Sequence, residues 1–125
     1  MALTCYLSSS KNIHFDPDDI NNFQSPGVYY QNFKADIYIG KGSFIGPNVG
    51  IITSNHSINN PSEHMEGEDV VIGEKCWIGM NSVILPGVTL GDGTVVAAGS
   101  VVNKSFPDGG VLVAGSPAKI IKKIN

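Results

Sequence analysis

Aliphatic residues recur at every sixth position over the second half of the chain. This column consists of Ile72, Ile78, Ile84, Leu90, Val96 and Val102. The residue after each aliphatic is usually Gly or Ala, and the fourth residue after it is small. A shorter run with the same spacing precedes the column at Ile39, Ile45 and Ile51. A period of six fits neither the 3.6-residue period of a helix nor the two-residue alternation of a half-buried strand.

A repeat of this length indicates a short strand followed by a bend. Gly at the bend lets the backbone turn without a Cβ penalty, and the aliphatic side chain points inward. Three hexads make one triangular coil, and coils stack at the strand spacing of about 4.8 Å. The sequence therefore predicts an all-β parallel β-helix, a solenoid whose strands pair with those of neighbouring coils. A β-sandwich, the alternative, would show two-residue alternation and irregular spacing.

Departures from the repeat divide the chain. Residues 1–27 lack the period and are rich in turn residues, which predicts an irregular cap on the first coil. Residues 28–115 carry the repeat, and a polar segment at residues 55–70 interrupts it and must leave the coil as a loop. A Ser-Pro pair near the end is typical of a helix start, so we predict a short C-terminal helix over residues 116–125.

Composition and charge narrow the choice of partners and compartment. The formal net charge is −3, which argues against a nucleic-acid-binding surface, although the C-terminal end is locally basic. Cys5 and Cys76 do not make a disulfide framework. No apolar run is long enough to insert in a membrane, and Met1 to Leu7 lacks the features of a signal peptide. We therefore expect a cytoplasmic protein.

Four motifs, together with the hexads, resemble a known family over residues 28–125. They are Asn55-His56, the run from Cys76 to Val88 (CWIGMNSVILPGV), the run from Ala98 to Val102 (AGSVV) and the run from Ala114 to Ala118 (AGSPA). The chain resembles the hexapeptide-repeat acyltransferases, in particular the sugar O-acetyltransferases of the galactoside, maltose and capsular-polysaccharide types. The resemblance implies a left-handed helix, against the usual right-handed crossover rule. It also implies a homotrimer with active sites between subunits, and acetyl-CoA as donor.

Acetyl transfer to a hydroxyl needs a base, and His is suited because its pKa lies near neutrality. His56 matches the catalytic histidine of the family, and we predict it to be the general base. His64, in the middle of the loop, is the alternative, and His14 is expected to be an ordinary cap histidine. Cys76 falls in an inward small position and no nucleophile elbow is present. Direct attack by the acceptor hydroxyl is therefore favoured.

Three residues are candidates for the acceptor side of the site. Trp77 falls at an outward corner, where a large aromatic side chain is unusual unless it covers something, and it matches a residue that lines the family's groove. Packing in a trimer interface is the alternative. Asn32 resembles a family asparagine that contacts the acceptor, although it lies one hexad too close to His56. Asp36 or a loop carbonyl is expected to orient His56.

The resemblance implies seven contacts with acetyl-CoA and no metal. They are Met80, Ala98, Gly99, Asn103, Lys104, Lys119 and Lys122. The first three would act at the solenoid corner, close to the pantetheine, and the next two match a Thr-Lys pair that contacts the cofactor. The last two stand where relatives carry basic residues facing the nucleotide phosphates, which Lys binds as a point charge. A solvated basic face is the alternative for them.

Two other functions fit the same solenoid. A γ-class carbonic anhydrase holds its metal with three histidines across a subunit groove. This chain has only His14, His56 and His64, whose spacing does not resemble that family's. A non-catalytic solenoid that binds a sugar nucleotide is the second alternative, and the presence of both His56 and Trp77 argues against it. The sequence leaves the identity of the saccharide acceptor open.

Overall fold

The structure, a computed structural model, describes residues 5–63 and 65–124, most of which lie in short strands or in the bends between them. The strands are β1 (Tyr6–Leu7), β2 (Ile13–Phe15), β3 (Tyr29–Gln31), β4 (Ile37–Ile39), β5 (Phe44–Ile45), β6 (Gly50–Ile52), β7 (Val70–Ile72), β8 (Trp77–Ile78), β9 (Val83–Ile84), β10 (Thr89–Leu90), β11 (Val95–Val96), β12 (Val101–Val102), β13 (Val111–Gly115) and β14 (Ala118–Lys123). A 3₁₀ helix spans Pro17–Phe23.

The strands form three sheets that the chain visits in turn. Sheet 1 has the order β1-β3-β6-β9-β12, sheet 2 the order β10-β7-β4-β2, and sheet 3 the order β14-β13-β11-β8-β5. From β3 to β12 successive strands join sheets 1, 2 and 3 in rotation. Every strand pair is parallel except β13 with β14, which is antiparallel. The all-β class and the parallel pairing predicted from the six-residue period are confirmed.

The predicted inward columns form the core. The aliphatic column from Ile72 to Val102 is at most 1% exposed. Three of the small positions carry a hydroxyl group, and each hydroxyl donates to a backbone carbonyl at a bend: Ser82, Thr94 and Ser100. Ser82 Oγ and Ser100 Oγ both donate to Ala97 O, at 3.0 and 2.6 Å. The buried polar groups of these columns are therefore satisfied inside the coil.

The described part of the N-terminal cap, residues 5–27, is more regular than the irregular cap predicted for residues 1–27. Strands β1 and β2 extend sheets 1 and 2, and the 3₁₀ helix covers the edge of sheet 3 at β5. There the Asn22 side chain replaces a strand: its Nδ2 donates to Ser43 O at 2.9 Å, and Ile45 N donates to its Oδ1 at 3.0 Å. In the described part of the chain no helix is long and apolar enough to cross a membrane.

The predicted C-terminal helix over residues 116–125 is wrong. Ala118–Lys123 is a strand that folds back on β13, through a turn at Ser116-Pro117 whose peptide bond is cis. Gly115, with φ of 107°, begins this turn. The physical reason is non-local, since β14 covers the edge of sheet 3 that would otherwise be unpaired. The side chains of Ile120, Ile121 and Ile124 are exposed.

The polar segment predicted to leave the coil lies between β6 and β7, outside the three sheets. Its two legs start close together, because Glu68 N donates to Thr53 O at 2.8 Å. This closure lets the strand after the loop, β7, enter sheet 2 beside β4 without a break in the rotation of strands. The loop is thus an insertion into an otherwise continuous stack.

Candidate active site

An apolar groove lies on the outer face of sheet 3. Parallel register stacks Phe44, Trp77, Val95 and Leu112 on successive strands. Trp77 is 56% exposed, which agrees with its predicted outward position. The groove has a volume of about 530 Å³, and Met80, Pro47 and Ala98 complete its wall at the next bend. Exposed apolar surface of this kind marks a site of contact with a ligand or a partner.

The bend between sheets 3 and 1 brings together three of the predicted cofactor residues. Gly99 N donates to Met80 O at 2.9 Å, so neighbouring coils are bonded there. Met80, Ala98 and Gly99 are all exposed. Gly99 has a φ of 72°, and among the described residues no neighbouring atom lies within 4 Å of where its Cβ would be. The backbone of this bend is therefore open to close approach by a ligand.

Lys119 and Lys122 lie on the same side of sheet 3 as the groove. Lys119 pairs with Ala114 and Lys122 with Leu112, two residues of β13 whose side chains face outward. Residues three apart on a regular strand face opposite sides. The pairing contains a bulge opposite the step from Leu112 to Val113. Its extra residue shifts the alternation by one, so Lys119 and Lys122 lie on the same face. The two lysines therefore share the face of the strand on which the groove lies.

Asn103 and Lys104 lie at a different bend. They follow β12, whereas Ala98 and Gly99 precede it, so sheet 1 separates the two pairs. Both are exposed, and the Lys104 Nζ lies 5.5 Å from the centroid of the Phe106 ring, a cation–π distance. The structure therefore does not bring this pair to the groove of sheet 3.

His56 lies on the outgoing leg of the loop, with its side chain exposed. Backbone hydrogen bonds join the two legs on either side of it. Met65 N donates to Asn55 O at 2.8 Å, and Ser57 N donates to Glu63 O at 2.8 Å. The backbone of His56 is thus held in a hairpin-like arrangement rather than in an open excursion. His64, the alternative base, lies outside the described residues.

Gln31, a residue that the sequence does not single out, holds the base of this loop. Its side-chain Oε1 accepts from Thr53 N at 2.9 Å and from Ser54 N at 3.0 Å, and its Nε2 donates to Ser54 O at 2.8 Å. The Thr53 hydroxyl donates in turn to Gln31 O at 2.7 Å. The one signal in the sequence is an amide at the end of an otherwise apolar strand, which does not reveal its distant partners.

Asp36, predicted as an orienting group for His56, contacts a different histidine. Its Oδ1 lies 3.3 Å from His14 Nε2, and the His14 ring stacks on Tyr38 with centroids 4.4 Å apart. The Asp36 backbone N–H donates to Asp69 Oδ1 at 2.9 Å. Asp36 therefore belongs to a cluster on the outer face of sheet 2, together with the cap histidine.

Asn32, predicted to contact the acceptor, is fully buried. Its Oδ1 accepts from Ser9 N at 2.8 Å, and its Nδ2 donates to Ser9 O at 2.7 Å and to Asn12 O at 3.0 Å. These bonds hold the N-terminal segment against the first coil. The side chain does not face solvent, and we leave Asn32 out of the site proposed below.

Cys76 packs in the core, as its inward position predicts. Burial raises the pKa of its thiol, and the Sγ atom lies 3.3 Å from Gly91 O. A thiol with a raised pKa is a poor nucleophile at neutral pH, because the thiolate is the reactive form. Among residues 5–63 and 65–124, no three His, Cys, Asp or Glu side chains are grouped so that they could hold a metal ion.

Sequence comparison relates this chain to transferases. The family described as bacterial transferase hexapeptide (six repeats) matches residues 69–104. Galactoside O-acetyltransferase of Escherichia coli K12 is 34% identical over 129 residues, which cover 96% of this chain and 58% of that protein. The chain spans about half the length of the curated relatives it matches.

Structure comparison agrees. Acetyltransferase VCA0836 of Vibrio cholerae O1 biovar eltor, solved with acetyl coenzyme A, superposes with a TM-score of 0.83 at 32% identity, covering 97% of this chain and 65% of that one. A second structure of VCA0836 from Vibrio cholerae gives a TM-score of 0.70 at 30% identity, covering 97% of this chain and 70% of that one. With the repeat match and this shared architecture, the chain belongs to the hexapeptide-repeat acetyltransferases.

Proposed function

We propose that this chain is an acetyl-CoA-dependent O-acetyltransferase whose acceptor is a hydroxyl of a sugar or a polysaccharide-related molecule. The observation that carries the proposal is the convergence of Trp77, Met80 and Ala98 on one open groove, with two lysines on the same face. Relatives support the substrates: one is named galactoside O-acetyltransferase, and the VCA0836 structure contains acetyl coenzyme A.

The donor is proposed to lie along the bend at Met80, Ala98 and Gly99. Pantetheine carries two amides, and exposed backbone groups beside small side chains can hydrogen-bond to such a chain. Lys119 and Lys122 would attract the phosphates of the nucleotide end as point charges. Asn103 and Lys104, beyond sheet 1, are proposed to contact the cofactor from a separate position.

His56 is proposed to act as general base. It would take the proton from the acceptor hydroxyl as the hydroxyl oxygen attacks the thioester carbonyl carbon. The tetrahedral intermediate then collapses by cleavage of the C–S bond, and His56 returns the proton to the leaving sulfur. A backbone N–H would stabilise the oxyanion, and Trp77 would cover the acceptor. A loop carbonyl is the proposed orienting group for His56, because Asp36 contacts His14.

The proposed assembly is a homotrimer of left-handed β-helices with active sites between neighbouring subunits. The cyclic order of the sheets supports the helix, and the apolar outer face of sheet 3 supports burial against a neighbour. In such an assembly the residues beyond sheet 1 can face a groove of the adjacent subunit. The cytoplasmic localisation stays a prediction.

The test is thiol release from acetyl-CoA in the presence of a panel of sugars and polysaccharide fragments. With an accepted sugar, His56→Ala is expected to lower kcat by about 10²- to 10⁴-fold, the usual contribution of a general base. His14→Ala, the replacement of another exposed histidine, is the matched control and should keep the parent rate. Equal turnover by His56→Ala and the parent would show that the general-base assignment is wrong.

A further inference from the structure

We infer that Gln31 is a positioning residue for His56, a role that rests on the proposed function. Gln31 ends strand β3 and pairs with Ile52, the last residue of β6. It therefore stands on the rigid coil at the point where the loop departs. Its side chain is 7% exposed, and His56 follows three residues after Thr53, the first loop residue that Gln31 contacts.

A single amide supplies both kinds of hydrogen bond that the departing backbone needs. The oxygen accepts from two successive N–H groups, of Thr53 and Ser54, and the nitrogen donates to the carbonyl of the second residue. The direction of the backbone is thus fixed over two peptide units. A side chain with neither function would remove the partners of the Ser54 N–H and C=O, which is costly in a low-dielectric interior, whereas the Thr53 N–H would keep its bond to Gln31 O at 3.1 Å.

The same two loop residues also hold the returning leg. Ser54 Oγ donates to Met65 O at 3.2 Å, and Glu68 N donates to Thr53 O at 2.8 Å. Gln31 is therefore one contact through which the coil holds both legs, and the Gly87 N–H, which donates to Glu68 O at 3.4 Å, is another on the returning leg. Because the side chain of His56 is exposed on this loop, its place relative to the groove depends on the loop base. A displacement of about 1 Å at a reacting group can cost on the order of 100-fold in rate.

The test compares Gln31→Met, which keeps the length of the side chain and removes both polar functions, with a matched buried amide. Asn22→Leu is that control, because the Asn22 amide also clamps backbone, at Ser43 and Ile45 on the edge of sheet 3. Gln31→Glu keeps an acceptor for the two N–H groups and loses the donor. The parent and His56→Ala are assayed beside them, with hydrogen–deuterium exchange of the peptide covering residues 53–57.

We expect Gln31→Met to speed amide exchange in residues 53–57 and to lower kcat by about 10- to 100-fold, with the KM for acetyl-CoA within about twofold. Gln31→Glu should fall between it and the parent. Asn22→Leu should keep the parent kcat even if its melting temperature falls as far as that of Gln31→Met. Unchanged exchange, or faster exchange with the parent kcat, overturns the inference alone. An inactive parent, or His56→Ala as active as the parent, overturns the proposed function and this inference with it.

Discussion

The coil from Val70 to Val102 and the loop of residues 53–69 differ in the interactions that hold them in place. In the coil each side chain's place follows from its position in a hexad, and its polar groups are satisfied by the nearest bend. In the loop no period operates, and order comes from hydrogen bonds between its two legs and from the amide of Gln31, a residue far away in sequence, at its base. The coil tolerates little change inside and carries the groove outside, whereas the loop carries the proposed base.

Deleting core volume in the coil should have the largest effect. Ile78 is fully buried, and Ile78→Ala is expected to lower the free energy of unfolding by about 2–5 kcal/mol, because it removes apolar contacts and leaves a cavity. Ile58, at the loop tip, is 95% exposed, and Ile58→Ala should change the free energy of unfolding by no more than about 0.5 kcal/mol. Denaturant unfolding measures both. Similar losses in the two variants would break the contrast between coil and loop.

Removing the two outward lysines should affect binding and leave the coil intact. Lys119→Ala with Lys122→Ala is expected to raise the KM for acetyl-CoA by about 10-fold, as charge-assisted bonds to phosphate are lost. Lys123→Ala is the matched control, since Lys123 pairs with the inward residue Val111 on the other face of the same strand. Steady-state kinetics at two salt concentrations measure the effect. An equal rise in KM for the control would contradict the assignment of faces.

Shortening the loop tip should weaken binding of the sugar acceptor and leave binding of the donor unchanged. Ser57 and Glu63 are already bonded, so residues 58–62 can be replaced by Asn-Gly, a two-residue hairpin turn. The free energy of unfolding should change by less than about 1 kcal/mol, since loop closure depends weakly on length. The KM for an accepted sugar should rise, while calorimetric affinity for CoA stays. Loss of CoA affinity would show that the loop belongs to the donor site.

The smallest effect concerns Cys76. Burial raises the pKa of its thiol in the folded state, so the folded protein retains the thiol proton to higher pH than the unfolded chain does. Its contribution to stability is complete below the unfolded pKa, about 8.5, and is lost as pH rises through the folded value. Unfolding at pH 7 and pH 9.5 measures the loss. In Cys76→Ala this part of the pH dependence should be absent, and an identical loss there would contradict it.

Sequence alone predicted the coil well because the period of six is a local signal that repeats, as the buried column from Ile72 to Val102 illustrates. The family resemblance singled out Trp77, Met80 and Ala98 as site residues, and all three line one groove. The partners of Gln31 could not be found in this way. They lie more than twenty residues away and are reached by an amide whose identity no hexad requires.

The end of the chain was predicted wrongly for a similar reason. Ser116-Pro117 is a typical helix start, and a lysine spacing of three fits a helix face. The unpaired edge of sheet 3 outweighs both local signals, since backbone groups at an open edge gain hydrogen bonds from a returning strand. Asn32 and Asp36 likewise took partners in the N-terminal segment that no local pattern indicates.

The bulge in β14 also decides which side of the sheet the residues after it face. A strand assigns its residues alternately to two sides, so one inserted residue exchanges the sides of everything that follows it. Here the pairing passes over Ile121, and if Ile121 paired with Leu112 instead, Lys122 would face away from the groove. Moving the bulge beyond Lys122 would therefore move positive charge from one side of the sheet to the other with no change in the number of charges. The position of a bulge is thus a means by which such a solenoid can redistribute its charge.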